Sequence, residues 1–194
     1  MKNYAHEVRG PILTNIYNLS ERPPKYFKRE SADVNFREAD ARHMHHPHND
    51  ALVVNALIGG TNVYQMLVDN GSSVNILAYS TYQKIGLVDN ELLPFYNDVY
   101  GFTGPPVLVV GRIKLPVTLG EEPWTATRIT EFVVVNEDIS YNGIIGRPLL
   151  REMRIITFIH HFSIKFPTPN GIGWVKGCHV DSRECYNRAL HMAM

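Results

Sequence analysis

The most informative run in this chain is Gln65-Met66-Leu67-Val68-Asp69-Asn70-Gly71-Ser72-Ser73-Val74-Asn75-Ile76-Leu77. Apolar residues lead into Asp69, and small hydroxyl residues and a second apolar run follow it. Two interpretations compete. Asn-Gly between apolar runs is a strong local signal for a β-hairpin, which the run taken by itself favours. The other interpretation is an active-site loop, which requires a carboxylate at a strand end beside a glycine that allows close backbone approach.

The composition describes a neutral chain without a disulfide framework. Its 194 residues include 19 basic and 19 acidic side chains, so the basic surplus of nucleic-acid-binding modules is absent. The two cysteines, Cys178 and Cys185, fit a reducing compartment. The N-terminus has no apolar signal-peptide core, and no apolar run approaches membrane-spanning length. We therefore expect an intracellular, cytoplasmic protein that binds neither nucleic acid nor membrane.

Composition and hydrophobic pattern divide the chain into three parts. Residues 1–48 are charged and broken by proline, and we predict an irregular linker or arm with one short helix over 35–44. Residues 49–176 carry closely spaced strand patterns, which indicate a small, closed, mainly β fold. From residue 167 to 194 the pattern fades, apart from a short strand near 174–175, and we expect 177–194 to be a weakly structured C-terminal tail.

Within the central part, glycines and charged turns separate the predicted elements. A short helix is expected over 78–85, with Gly86 as its C-terminal stop. His160 and His161 are expected to be exposed turn residues between two strands. The predicted strands cover 51–58, 62–68, 107–110, 112–119, 126–135, 155–159, 162–166 and a short segment near 174–175.

Two groups of metal-ligating residue types are present without a convincing ligand set. The first group is His43, His45, His46 and His48. Zinc usually takes spaced ligands on a rigid frame, so a solvated histidine cluster is favoured there. The second group, Cys178, His179 and Cys185, offers three ligands without a fourth, which favours free thiols. We predict neither a metal nor another cofactor.

Two later motifs bear on the role of Asp69. Gly101-Phe102-Thr103-Gly104, followed by a strand, predicts an exposed hairpin or loop that could serve as a lid over a cleft. Tyr141-Asn142-Gly143-Ile144-Ile145-Gly146-Arg147-Pro148-Leu149-Leu150 predicts a compact strand-to-helix junction in which glycine permits close packing.

In their order and spacing, these motifs resemble the retroviral-type aspartic proteases (retropepsins), and most closely the protease region of gag-pol polyproteins from plant gypsy-type LTR retrotransposons. The resemblance extends roughly from residue 36 to the C-terminus. It is carried by Pro47-His48-Asn49-Asp50-Ala51-Leu52-Val53, Val68-Asp69-Asn70-Gly71-Ser72-Ser73, Gly101-Phe102-Thr103-Gly104, Tyr141-Asn142-Gly143-Ile144-Ile145-Gly146-Arg147-Pro148, Lys165-Phe166-Pro167-Thr168 and Arg183-Glu184-Cys185-Tyr186.

The resemblance implies a retropepsin-type β-barrel over 49–176, with one or two short helices, and an aspartic endopeptidase that processes a retrotransposon polyprotein. Retrotransposon particles become a further candidate location. Asp69 would be the catalytic residue. An extended peptide substrate would lie under a closing flap. The implied supporting residues are Asn70, Gly71 and Ser72 in the active-site loop, Gly101, Phe102, Thr103 and Gly104 in the flap, Ile144, Ile145 and Gly146 beneath the loop, and Arg147 at the dimer contact.

Aspartic protease chemistry needs two carboxylates, and this chain offers one candidate. Of its eight aspartates, only Asp69 is followed by x-Gly in an apolar setting. An active form must therefore be a symmetric homodimer in which Asp69 from each chain faces the other across a two-fold axis.

Two residues depart from the family pattern and keep a second interpretation open. Relatives usually carry Thr or Ser where Asn70 stands, and the asparagine amide presents its donors and acceptor in a different geometry from a hydroxyl. Many relatives have Asp where Asn75 stands. The alternative is a degenerate, non-catalytic retropepsin-like domain that persists as a folded remnant or a peptide-binding module.

Overall fold

A computed structural model describes residues 34–37, 49–88, 91–101 and 106–192 of the chain. The helices in this part are α1 (Tyr79–Lys84), α2 (Arg147–Glu152), a 3-10 helix (Ile159–His161) and α3 (His179–Met192). The strands are β1 (Val53–Ile58), β2 (Thr61–Val68), β3 (Asn75–Ala78), β4 (Val109–Leu119), β5 (Ala126–Val135), β6 (Gly143–Ile145), β7 (Ile156–Phe158), β8 (Ser163–Thr168) and β9 (Gly171–Lys176).

Six strands close into a barrel in the order β1-β2-β6-β3-β5-β4. Strand β4 alternates buried and exposed residues along most of its length, as expected of a strand with one face in the core. The last four residues of β5 are all buried, because α1 and α2 cover the outer face of that strand. Gly59 and Gly60, both with positive φ, form the tight turn between β1 and β2.

A second, three-stranded antiparallel sheet, β7-β8-β9, follows the barrel along the chain. Its strand β8 contributes Ile164 and Phe166 to the same hydrophobic core as the barrel strands. Segment 34–37 contacts this sheet, because the Phe36 ring lies 4.9 Å from the Phe158 ring and the Lys165 ammonium donates to the Asn35 carbonyl at 2.7 Å. The two sheets are therefore joined by a common core.

The predicted mainly β class, with a closed barrel and few short helices, is confirmed. The strands expected over 51–58, 62–68, 112–119 and 126–135 are present with small shifts at their ends. The strand expected over 107–110 is met only at its end, where β4 begins. The domain boundaries at residues 48 and 176 stay predictions. No helix in the described part of the chain is long and apolar enough to cross a membrane.

Three local predictions differ from the structure. The expectation that 177–194 is weakly structured is wrong, because helix α3 occupies most of this region. His161 is buried against Phe158, with ring centroids 4.4 Å apart, whereas His160 is exposed as expected. Of the helix predicted over 35–44, residues 35–37 have no regular structure, and the remainder lies outside the described residues.

Candidate active site

The loop that carries Asp69 connects two strands that are not paired with each other. Strand β6 lies between β2 and β3, pairing in parallel with β2 and antiparallel with β3. The loop from Asp69 to Val74 therefore crosses the end of β6. The local hairpin interpretation of Asn70-Gly71 is wrong, since a hairpin would require β2 and β3 to be hydrogen-bonded neighbours.

Backbone hydrogen bonds hold this loop at both ends. The Asp69 N–H donates to the Ile145 carbonyl at 3.0 Å, and the Arg147 N–H donates to the Ser72 carbonyl at 3.0 Å. The Ser72 N–H in turn donates to the Asp69 carbonyl at 3.3 Å. The strand-to-helix junction at Gly146 thus anchors the loop directly.

The carboxylate of Asp69 is oriented by its own loop. The Gly71 N–H donates to Asp69 Oδ1 at 2.7 Å, and the side chain is half-buried. A Cβ atom at position 71 would lie 3.1 Å from the same oxygen, so glycine leaves the carboxylate its space. A half-buried, hydrogen-bonded carboxylate with a free path to solvent is chemically able to bind and activate a water molecule.

Glycine at position 146 is required by the close approach of the loop. A Cβ atom there would lie 2.1 Å from the Val74 carbonyl oxygen, well inside contact distance. Ile145, immediately before it, is fully buried, and Ile144 pairs with Leu67 in β2 and Ile76 in β3. The motif Ile144-Ile145-Gly146 therefore lies beneath the Asp69 loop, and the Arg147 side chain is exposed beside it.

Asn75 joins the loop to two other elements from a buried position. Its Oδ1 accepts hydrogen bonds from the N–H groups of Gly146 at 3.0 Å and Leu149 at 3.4 Å. Its Nδ2 donates to Thr130 Oγ1 at 3.1 Å and to the Glu131 carbonyl at 2.9 Å. The side chain is only 1% exposed, so these four bonds satisfy a buried amide completely.

Asn70 reaches a strand that is distant in sequence. Its Nδ2 donates to Thr157 Oγ1 at 2.9 Å, which links the Asp69 loop to the middle of β7. Sequence reasoning did not identify Thr157, because a hydroxyl residue in a short apolar strand carries no functional signal by itself.

The hairpin predicted around Gly101 is present in its stem. Tyr100 pairs with Pro106, and the Val107 N–H donates to the Val99 carbonyl at 2.7 Å. Gly101 is exposed, and Phe102, Thr103 and Gly104 lie outside the described residues.

A cavity of about 410 Å³ lies between this stem and the Asp69 loop. The loop contributes Gly71, Ser72 and Ser73 to its lining, and the stem contributes Asp98, Val99 and Tyr100. Val74, Ile76 and Phe95 add apolar side chains to the lining. Asn97 adds an amide, so the cavity can accept a partly apolar group.

Tyr141 is electrostatically coupled to the same region. Burial raises the pKa of its phenol above the ordinary value, and electrostatic interactions with Cys185 and with the Asp69 carboxylate raise it further. Its neighbour Asn142 donates from its side chain to the Tyr64 carbonyl at 2.9 Å, which fixes the segment before β6. Tyr141 therefore stays protonated beside the candidate site.

The described residues include no group of three His, Cys, Asp or Glu side chains placed to hold a metal ion. Both cysteines are free thiols. The cluster His43, His45, His46 and His48 lies outside the described residues.

Comparisons with known proteins bear on the fold. No protein-family model and no curated protein matches this chain. The retroviral protease-like domain of Ddi1 from Leishmania major is similar with a TM-score of 0.51 and 21% identity, over 68% of this chain and 96% of that domain.

Two further solved structures are similar at lower scores. The EIAV protease in complex with the inhibitor HBY-793 has a TM-score of 0.42 and 17% identity, over 59% of this chain and 99% of the protease. A retropepsin-like aspartic protease from Rickettsia conorii has a TM-score of 0.41 and 18% identity, over 63% and 79%. On the similarity to the Leishmania major domain, this chain has the retropepsin-like fold.

Proposed function

We propose that this chain is an aspartic endopeptidase whose active form is a homodimer with one Asp69 from each subunit. The observation that carries the proposal is the placement of Asp69. Its half-buried carboxylate is oriented by the Gly71 N–H, on a loop anchored over Gly146 and open to an adjoining cavity.

The proposed chemistry is general acid–base catalysis by two carboxylates. Two such groups held about 3 Å apart cannot both ionise, so the pair shares one proton. The ionised carboxylate takes a proton from a water molecule, whose oxygen attacks the scissile carbonyl, while the protonated partner polarises that carbonyl. Transfer of a proton to the amide nitrogen then breaks the C–N bond and releases an amine and a carboxylic acid.

The free edge of β7 supports the proposed subunit contact. Within the described residues β7 pairs with β8 alone, and its other edge has no strand partner. Ile156 and Phe158 on this strand are 44% and 38% exposed. An apolar, unpaired edge is a template for pairing with another chain, and the Asn70–Thr157 bond ties this edge to the Asp69 loop. A second copy bound here would bring the two loops close together.

The proposed substrate is an extended peptide held between the Asp69 loop and the hairpin stem around Tyr100. Peptides bound in this way add strand-like backbone hydrogen bonds and place side chains in flanking pockets. The 410 Å³ cavity is suited to one such side chain. From the sequence motifs we further propose that the natural substrate is a retrotransposon polyprotein and that processing takes place in the cytoplasm.

A second candidate function is peptide binding without catalysis. The observation that favours it concerns Asn70, which stands where retropepsins usually carry Thr or Ser. Its amide donates a hydrogen bond to Thr157 of the same chain.

The experiment that separates the two functions is a peptide-library cleavage assay at about pH 4–6, where a carboxylate pair can share one proton. We expect the wild-type chain to cleave and Asp69→Asn to lose all cleavage while it keeps the wild-type circular dichroism spectrum and melting temperature. Asp138→Asn, which removes an exposed carboxylate that does not line the cavity and leaves Asp69 in place, is the matched control and should still cleave. Cleavage by Asp69→Asn at the wild-type rate would contradict the proposal. A folded wild-type dimer without activity would favour the binding function.

A further inference from the structure

The hydrogen bond between Asn70 and Thr157 joins the residue next to Asp69 to a strand far along the chain. The distance from Asn70 Nδ2 to Thr157 Oγ1 is 2.9 Å. Asn70 is exposed at the tip of the loop, whereas Thr157 is half-buried in the middle of β7. The loop thus has an anchor beyond its own backbone bonds.

The hydroxyl of Thr157 is presented from a fixed frame. Thr157 pairs with Ile164, a fully buried core residue in β8. The next residue, Phe158, packs against the ring of Phe36 at 4.9 Å and against the ring of His161 at 4.4 Å. Movement of Thr157 would therefore disturb the sheet that contributes to the common core.

We infer that Thr157 is a positioning residue for Asp69, that it acts through Asn70, and that it couples the β7 edge to the geometry of the active-site loop. The inference rests on the proposed function. An asparagine amide has two N–H donors and one acceptor oxygen, so an amide that bonds Thr157 can also bond a group of a second subunit. The Asn70–Thr157 bond therefore fixes the conformation of the Asp69 loop within one subunit, before a second subunit binds at β7.

The coupling has a kinetic consequence. A displacement of about 1 Å at a catalytic group can cost on the order of a hundredfold in rate. Loss of the Thr157 hydroxyl should lower kcat through the position of Asp69, and it should leave KM nearly unchanged because Thr157 does not line the 410 Å³ cavity.

The test compares Thr157→Val, which keeps the shape and loses the hydroxyl, with Thr157→Ser, which keeps the hydroxyl. The matched control is Thr127→Val, because Thr127 makes a similar hydroxyl bond to Thr118 at 2.7 Å between β4 and β5. We expect Thr157→Val to lower kcat roughly tenfold or more at unchanged melting temperature. Thr157→Ser should restore most of this loss, and Thr127→Val should behave like the wild type.

A second readout does not require cleavage. Amide hydrogen exchange of Gly71, whose N–H is bonded to Asp69 Oδ1, reports the order of the loop in the folded chain. Thr157→Val should increase the exchange rate of this amide, and Thr127→Val should not. In a double-mutant cycle, Asn70→Ala should add little to the effect of Thr157→Val.

The outcomes separate this inference from the proposed function. If neither the wild type nor Asp69→Asn cleaves, the proposed function fails, and the Gly71 exchange rates alone decide whether Thr157 positions the loop. The inference is overturned if Thr157→Val leaves both kcat and Gly71 exchange at wild-type values. It is also overturned if Thr127→Val causes the same loss, because the effect would then be a general one on stability.

Discussion

Asn75 occupies the position at which a single side chain holds most of the candidate site together. Its amide connects the Asp69 loop, the first turn of α2 and strand β5 through four hydrogen bonds. An aspartate here could still accept from Gly146 and Leu149 but would lose the donors to Thr130 and Glu131. Asparagine at this position therefore fits its surroundings, because the acceptors on Thr130 and Glu131 need an N–H donor that an aspartate lacks.

We predict that Asn75→Ala lowers the free energy of unfolding by about 2–4 kcal/mol, because it leaves buried N–H groups of Gly146 and Leu149 without their acceptor. Urea denaturation of purified protein measures this value. The control is Asn55→Ala, since Asn55 is exposed on β1 and should change stability by less than about 0.5 kcal/mol. Equal stability of the two variants would contradict the role given to Asn75.

At the scale of single residues, the sequence singled out Asp69 and the glycines around it as candidates. It did not identify the residues that form hydrogen bonds with the loop. The loop motif is local, and each of its residues is visible within a few positions. Thr157 is 87 residues from Asn70 in the sequence, and Thr130 is 55 residues from Asn75. Such pairs follow from the folded topology, which no local pattern encodes.

Helix α3 is the element that the sequence predicted least well, and its buried face explains why. The residues it buries are Ser182 and Cys185, which are small, whereas Val180, Tyr186 and Leu190 are exposed. The larger apolar residues therefore do not mark the buried face of the helix, and hydrophobic periodicity does not reveal the helix. Polar contacts dock the helix in place of an apolar stripe, among them Ser182 Oγ to the Ala51 carbonyl at 2.7 Å.

The docking of α3 depends on the ionisation of Asp50. Its carboxylate lies 2.6 Å from His179 Nδ1 and 3.3 Å from Arg183 Nε. Burial alone raises the pKa of Asp50, but the hydrogen bonds and charges of His179 and Arg183 outweigh burial, and the pKa falls below its usual value of 3.8. Because the pKa is lower in the folded state, the contribution of the Asp50 carboxylate to folding stability is complete above about pH 4. It is lost as the pH falls through the folded-state pKa.

We expect Asp50→Asn to flatten the dependence of the free energy of unfolding on pH below about pH 4, because the variant has no carboxyl group to protonate. Urea denaturation at a series of pH values gives this dependence. Glu121→Gln, which removes an exposed carboxylate between β4 and β5, should retain the wild-type slope. Parallel curves for Asp50→Asn and the wild type would show that the carboxylate does not stabilise the docked helix.

Strand β7 supplies the second prediction at this scale. Ile156→Lys places a charge on the apolar edge proposed to meet a second subunit, and we expect the dimer affinity to fall roughly tenfold or more. Sedimentation velocity over a range of concentrations measures that affinity. The control is Ile129→Lys, since Ile129 is 70% exposed on β5 and lies outside the proposed contact. Loss of association in the control, or none in Ile156→Lys, would place the contact elsewhere.

For the whole molecule, local patterns predicted most strands but not their arrangement. Alternation and turn residues located β1, β2, β4 and β5 because these signals lie within each strand. The strand spacing indicated a closed β fold, and the resemblance to retropepsins specified the type of barrel. The insertion of β6 between β2 and β3 brings together residues more than sixty positions apart, which no local pattern shows. Because the same insertion separates β2 from β3, the apparent hairpin is instead the loop that carries the candidate catalytic residue Asp69.

The claim that two copies of Asp69 act together is tested most directly by mixing subunits. Wild-type chain is refolded with an equal amount of Asp69→Asn, above the dissociation constant found by sedimentation, and peptide cleavage is measured at constant wild-type concentration. Random pairing leaves half of the wild-type chains in mixed dimers with one catalytic carboxylate, so the account predicts that activity falls to about half. Activity that stays at the wild-type level would show that each chain works alone and would contradict the account.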